Sequence, residues 1–199
     1  MSNQIETQLE VQLENRDKTS VLFRAILIIP AWVFLSSFSN WASQNSDAAT
    51  WTVGFFVLPP ALALIFRGVY PSYALAFNHA LLDLSMRVTA YLTLLTDKYP
   101  TIESSTVAKT TLPEIDGGRK LNRLLPLVKW FLAIPLYFVG ILYALYALLF
   151  VVLSWFNIVL TGQMSATSAD VICKVIAYWN RVTGYAFLLV TDEYPAFNL

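Results

Sequence analysis

LLPLVKWFLAIPLYFVGILYALYALLFVVLSWFNIVL, residues 124–160, runs for 37 residues with Lys129 as its only charge. A single helix of that length would reach about 55 Å at about 1.5 Å per residue. The hydrocarbon core of a bilayer is only about 30 Å thick. The stretch therefore predicts two membrane spans joined by a tight turn between Gly140 and Ala144. The rest of the chain agrees with a membrane setting. Of its 199 residues 57% are hydrophobic and 13% charged, against about 45–50% and about 25% in a typical soluble domain. Lys plus Arg and Asp plus Glu are 13 each. That balance excludes a basic nucleic-acid-binding surface, and the apolar excess excludes an ordinary cytosolic domain or a disordered chain. One cysteine, Cys173, excludes an internal disulfide framework and a Cys-based zinc cluster.

Two further apolar runs lie upstream. Residues 21–38 predict a first span, with Arg24 near its start. Residues 51–66 predict a second, kinked at Pro59-Pro60. The polar residues 40–50 between them are bracketed by Trp41 and Trp51, whose indoles suit the membrane–water interface. Tyr99 and Tyr194 suit it in the same way. Four spans with both termini cytoplasmic place all 13 Lys and Arg inside, the full positive-inside pattern. The expected location is a multi-pass protein of a prokaryotic inner membrane.

Segments 72–95 and 168–190 are apolar but striped with charge. In the first, His79, Asp83 and Arg87 fall four residues apart on one helical face, with Leu81, Leu84 and Val88 on another. In the second, Asp170, Lys174 and Arg181 form the stripe. Each predicts an amphipathic helix at the cytoplasmic interface. The alternative counts both as spans, six in all, and buries Asp and Arg near mid-bilayer at roughly 2.5–3.5 kcal/mol each. At the N-terminus, Ile5, Thr7, Leu9, Val11 and Leu13 alternate with Glu6, Gln8, Glu10, Gln12 and Glu14. That period of two predicts a strand with one buried face. A short strand over residues 107–112 is its expected partner.

The two halves repeat. Ile29-Pro30 matches Ile134-Pro135, and Arg67-Gly68 matches Thr161-Gly162. Arg87-Val88-Thr89-Ala90-Tyr91 matches Arg181-Val182-Thr183-Gly184-Tyr185. Thr96-Asp97-Lys98-Tyr99-Pro100 matches Thr191-Asp192-Glu193-Tyr194-Pro195. Pro30 to Gly68 is 38 residues and Pro135 to Gly162 is 27, so the difference falls on the outer loop. The organisation read from this is an N-terminal segment 1–20, a first unit 21–100, a linker 101–120 and a second unit 121–199. Each unit holds two spans and an amphipathic helix that stops at Pro100 or Pro195. Parallel repeats of this kind are related by an axis along the membrane normal.

The run from Leu121 to Pro135, followed by Trp155, Thr161-Gly162, Arg181 and Thr191-Asp192-Glu193-Tyr194-Pro195, resembles a bacterial membrane family known as domain of unknown function 4389. The resemblance covers both units, and the second more closely. It implies a prokaryotic inner-membrane protein and supplies no activity, cofactor or catalytic residue.

Candidate chemistry is sparse. His79 is the single histidine, and Cys173 and Ala177 stand where the second unit would repeat His79 and Asp83. A polar-face role for His79 is therefore favoured over a proton relay. No nucleophile–base pair, metal-ligand cluster or Gly-rich phosphate loop is present. Arg87 and Arg181, with Asp97 and Asp192, recur in both units. They suit either an Arg–Asp clamp on each amphipathic helix or an arginine site for lipid phosphate. The expected function is non-catalytic and without cofactor: an accessory or scaffold subunit of a larger membrane complex, or a self-associating organiser of lipid. Its partners would be membrane lipids, other membrane subunits or its own copies. A small transporter, channel or lipid-handling protein is the alternative, with a cavity lined by Asn157, Thr161 and Arg181.

Overall fold

A computed structural model describes residues 3–37, 57–103 and 106–199. Trp41, Trp51 and the loop 40–50 lie outside the described residues. The elements are β1 (Glu6–Leu9), α1 (Lys18–Leu27), α2 (Ile29–Ser36), α3 (Leu58–Arg67), α4 (Ser72–Leu92), β2 (Ala108–Thr111), α5 (Leu125–Leu132), α6 (Ile134–Thr161) and α7 (Ala166–Thr183). Short 3-10 and π turns lie at Asp116–Gly118 and Gly184–Leu188.

Local chemistry sets the breaks. Asp17 caps α1, its side chain accepting from the Thr19 N–H at 3.0 Å. Pro30 and Pro135 sit in the first turns of α2 and α6. Each lacks the N–H that a continuous helix would use, so the chain bends at Ile28 and at Ala133. Gly68 and Gly162 close α3 and α6 in the left-handed conformation, with φ of 64° and 77°, which glycine adopts without steric cost. The helices before the two Thr-Asp-x-Tyr-Pro stretches end earlier than those prolines predict. Leu94 and Leu189 turn the chain first, with φ of 66° and 58°, a conformation costly for a side chain of that size.

The four-span expectation is corrected. Two helical stretches among the described residues are long and apolar enough to cross a membrane, by length and composition: Lys18–Ser36 and Ile134–Thr161. The expected turn between Gly140 and Ala144 does not occur. α6 is one helix of 28 residues, and Gly140 lies in its interior, where an added Cβ would meet the Trp179 ring at 2.8 Å. Glycine serves close packing there, and the break in the apolar run falls at Pro135. α3 has 10 described residues, and residues 51–56 of the expected second span lie outside the described residues.

The strand pair forms as the alternation predicts. β1 and β2 are antiparallel, with Glu6 opposite Thr111 and Leu9 opposite Ala108. Beyond Leu9 the chain stays extended but changes partners. Gln12 N–H donates to Leu95 O at 2.8 Å, and Met164 N–H donates to Leu13 O at 2.8 Å.

The layers follow from these contacts. The apolar helices α1, α2, α3, α5 and α6 form one side. α4 and α7 form the middle. β1, β2 and the extended residues 10–14 cover the middle helices from the other side. α6 and α7 pack as an antiparallel pair. The buried stripe of α6 is Leu136, Gly140, Ala147, Ser154 and Ile158. Its other faces expose Phe138, Ile141, Leu145, Leu149, Phe156 and Leu160.

Candidate functional site

Buried cations meet aspartates at two places, and the two are built alike. At the first, Asp97 follows the Leu94 turn and meets two arginines. Its Oδ1 accepts from Arg16 Nη2 at 2.7 Å and Arg24 Nη2 at 2.5 Å. Its Oδ2 accepts from Arg16 Nε at 3.0 Å and from the Asp17 N–H at 2.9 Å. Arg24 also donates to Tyr91 O at 2.7 Å, and its guanidinium lies 4.3 Å from the Tyr91 ring centre. Arg16 donates to Gln12 O and Leu94 O, each at 2.7 Å. Burial alone would raise the Asp97 carboxyl. The Arg16 guanidinium, the Asp17 N–H and Arg24 outweigh it and hold the group below the usual carboxylate range.

At the second, Asp192 follows the Leu189 turn. Lys129 Nζ stands 2.7 Å from its Oδ1, a charge contact without an aligned hydrogen bond. Lys129 directs its aligned bond to Thr191 O at 2.6 Å, and its ammonium lies 5.2 Å from the Tyr185 ring centre. The Asn122 N–H donates to Asp192 Oδ2 at 2.6 Å. Asn122 Oδ1 accepts from the Leu124 N–H at 3.0 Å, as Asp17 does from Thr19. Thr96 and Thr191 hydroxyls accept from the N–H two residues on, at 3.2 and 3.1 Å. Arg16 has no counterpart, because Leu121 occupies that place.

The structure does not bring the sequence-predicted arginines to these aspartates. Arg87 is buried and donates to Asp83 O at 3.2 Å and to Glu103 O. Arg181 donates to Asn198 O at 2.6 Å and lies 5.8 Å from the Tyr178 ring. Arg24 and Lys129 take the ionic role instead. Each is the lone charge of its apolar run, six residues before the Ile-Pro proline. That matched spacing was the available signal. Tyr99 and Tyr194 are partly exposed and pack edge-on against Tyr91 and Tyr185, at 5.8 and 5.6 Å. His79 faces Thr110 O at 2.9 Å, and Asp83 accepts both the N–H and the hydroxyl of Thr110 at 2.9 and 2.6 Å. This part of the α4 polar stripe holds β2.

All four donors around Asp97 converge on its two oxygens. The carboxylate is saturated and has no lone pair left for a substrate proton or a ligand cation. Chemically the two sites tie apolar helices to the segments after α4 and α7. Elsewhere, an open groove of about 330 Å³ lies between α4, α6 and α7. Ser85, Thr89, Thr93 and Asn180 supply its polar lining. The three hydroxyls each donate to a carbonyl of their own helix at 2.8 Å.

No curated protein and no solved structure matches the chain. Residues 125–198, which include α5, α6, α7 and the Lys129–Asp192 site, are similar to the family described as Domain of unknown function (DUF4389).

Proposed function

We propose that the protein is a non-catalytic membrane protein that works by association, as an accessory or scaffold subunit or as a self-associating organiser of lipid. The observation that carries this reading is the division of the molecule into two sides. One side presents exposed Phe, Leu, Ile and Trp from α1, α2, α3, α5 and α6. Exposed apolar surface on this scale marks a membrane or protein contact. The charged residues that enter the core are locked in structural contacts, which supports association over turnover. In this reading the chain is a duplication of one unit, supported by the matched contacts of Asp97 and Asp192. Its home is a prokaryotic inner membrane, with the strand side and both termini in the cytoplasm.

The test is extraction into lipid nanodiscs with copolymer, followed by native mass spectrometry. A fixed stoichiometry with a second membrane protein or with further copies of the chain is expected. A monomer that moves a solute in proteoliposomes overturns the proposal.

The groove between α4, α6 and α7 favours a second reading, a lipid-handling protein. Its hydroxyls are satisfied within α4, and the facing wall is apolar, with Ala144, Ala147, Leu148 and Val151. Such a slot suits an acyl chain better than a polar solute. Phospholipid retained at one per chain after delipidation, and lost in Ala147→Trp, is the expected sign.

A further inference from the structure

The geometry points to a single-leaflet seat: the apolar helices lie along one face of a bilayer and do not cross it, and Arg67, Arg119 and Arg123 engage anionic phospholipid headgroups at one corner. This rests on the membrane reading above and specifies how the membrane is met.

The direction of α6 decides the matter. α7 runs antiparallel beside it over most of its length. At one end Tyr178 Oη donates to Leu136 O at 2.9 Å. At the other, Ile158 and Ile172 share one buried cluster. Residues 5–13 then run along α7, and Leu9, Val11 and Leu13 join the same buried cluster. Ile5 packs on Gly184. Thr7 Oγ1 accepts from Asn180 Nδ2 at 2.9 Å. Leu13 O accepts from the Met164 N–H at 2.8 Å. α6, α7 and this polar chain therefore share one direction. An upright α6 would carry the exposed Glu6, Glu10 and Glu14 into the hydrocarbon, with Asp170 and Lys174 of α7 beside them. Charges there are strongly disfavoured. A flat α6 keeps every one of them on the water side.

The first half is arranged in the same way. α4 packs through Val88 and Tyr91 against Ile28 at the bend and Ala31 and Leu35 of α2, while its Asp83 holds β2 on the opposite side. The outer face of α6 is apolar from end to end, with Phe138, Leu149 and Leu160 exposed by 69%, 63% and 76%. An 11-residue spacing returns nearly to the same helical face. A spanning helix would bring its two ends to headgroup level, where these side chains gain little.

The corner is where α3 ends and α5 begins. Arg67 is the last residue of α3. Arg123 lies against Gly68, its guanidinium filling the space a Cβ would take. Arg119 follows the turn Asp116–Gly118, which accepts the Tyr70 N–H at Gly117 O, 2.8 Å. All three are exposed, and among the described residues none is ion-paired. Phe66, Leu124 and Phe131 beside them are exposed too. Unpaired guanidinium groups at the edge of an apolar face complement a phosphate headgroup above its acyl chains.

The experiment places spin labels on the full chain in phosphatidylglycerol liposomes. In a Cys173→Ser background, Phe138→Cys, Leu149→Cys and Leu160→Cys are labelled singly, and depth is read by power saturation against oxygen and a nickel chelate. The three labels are expected at one depth, within about 5 Å, one helical turn. A Leu149 label about 15 Å deeper than both others, half the hydrocarbon thickness, overturns the flat seat. So does a steady gradient from 138 to 160. A protein that leaves the membrane under alkaline wash fails the membrane reading itself, which separates the two failures. For the corner, Arg67→Gln/Arg119→Gln/Arg123→Gln is compared with wild type in mild detergent, with thermal protection titrated by phosphatidylglycerol and by phosphatidylcholine. The variant is expected to melt normally without lipid and to lose about tenfold or more in apparent affinity for phosphatidylglycerol alone. Equal protection of variant and wild type by phosphatidylglycerol overturns the headgroup assignment.

Discussion

Arg24 and Lys129 do the same work in the two halves of the molecule. Each reaches back from the apolar helix before an Ile-Pro bend to the aspartate after an amphipathic helix, with a tyrosine ring beside it. The halves differ in one respect: Asp97 holds a second arginine, Arg16, whose side chain is fully buried.

That difference predicts unequal costs. Asp97→Asn leaves two buried guanidinium groups without a counter-charge, and removing one partner of a buried pair costs about 3–5 kcal/mol. Asp192→Asn leaves one ammonium, beside a carboxylate that is itself more exposed, 24% against 14%. Thermal unfolding in detergent is expected to rank Asp97→Asn clearly below Asp192→Asn, with both below wild type. Equal melting temperatures for the two variants contradict this ranking.

The same carboxylate sets an acid limit. Its pKa lies below the ordinary value in the folded state, so the unfolded chain binds the proton more readily. The stabilisation is complete above about pH 4, the unfolded carboxylate range, and is lost as pH falls through the depressed folded pKa. Wild type is expected to lose stability relative to Asp97→Asn on going from pH 5 to pH 2. Parallel pH profiles for the two proteins contradict the assignment.

Gly117 and Gly118 separate strain from space. Both have positive φ, 62° and 97°. A Cβ on Gly117 meets nothing within 4 Å, whereas one on Gly118 meets the Tyr70 backbone nitrogen at 2.7 Å. Gly117→Ala is expected to cost about 1–2 kcal/mol, the left-handed penalty. Gly118→Ala adds roughly 1–3 kcal/mol of overpacking. Denaturant titration of the two variants measures the gap, and a smaller loss for Gly118→Ala would refute the packing around Tyr70.

Cys173 is a poor nucleophile. Burial, with Asp170 nearby, pushes its thiol up to about 11, so the thiolate is scarce at neutral pH. Alkylation by iodoacetamide at pH 7.5 is expected to be at least tenfold slower in the folded protein than in denaturant. Equal rates contradict the half-buried position on α7.

The strand pair and the two amphipathic helices were legible because each rests on a strict period. Ile5 to Leu13 alternates without a break, and the α4 charges recur every four residues. The span count was not legible. Hydropathy over 124–160 reports only that the helix avoids water. Where it bends follows from Pro135, and what packs on it follows from α7, next in the chain, and from α1, far away in sequence. The ionic sites were half legible. Asp97 and Asp192 stood out in the repeated Thr-Asp-x-Tyr-Pro, but their cations sit 73 and 63 residues upstream in apolar runs. There Arg24 and Lys129 read as topology signals. Arg87 and Arg181 were nearer in sequence but are held by the carbonyls of Asp83, Glu103 and Asn198.

Membrane fractionation of cells expressing the full chain tests the apolar side most directly. With its exposed Phe66, Phe131, Phe138 and Leu160 buried in lipid, the protein should stay in the pellet through high salt and alkaline carbonate, and detergent should release it. Recovery as a monodisperse protein in the detergent-free supernatant would contradict a membrane seat altogether.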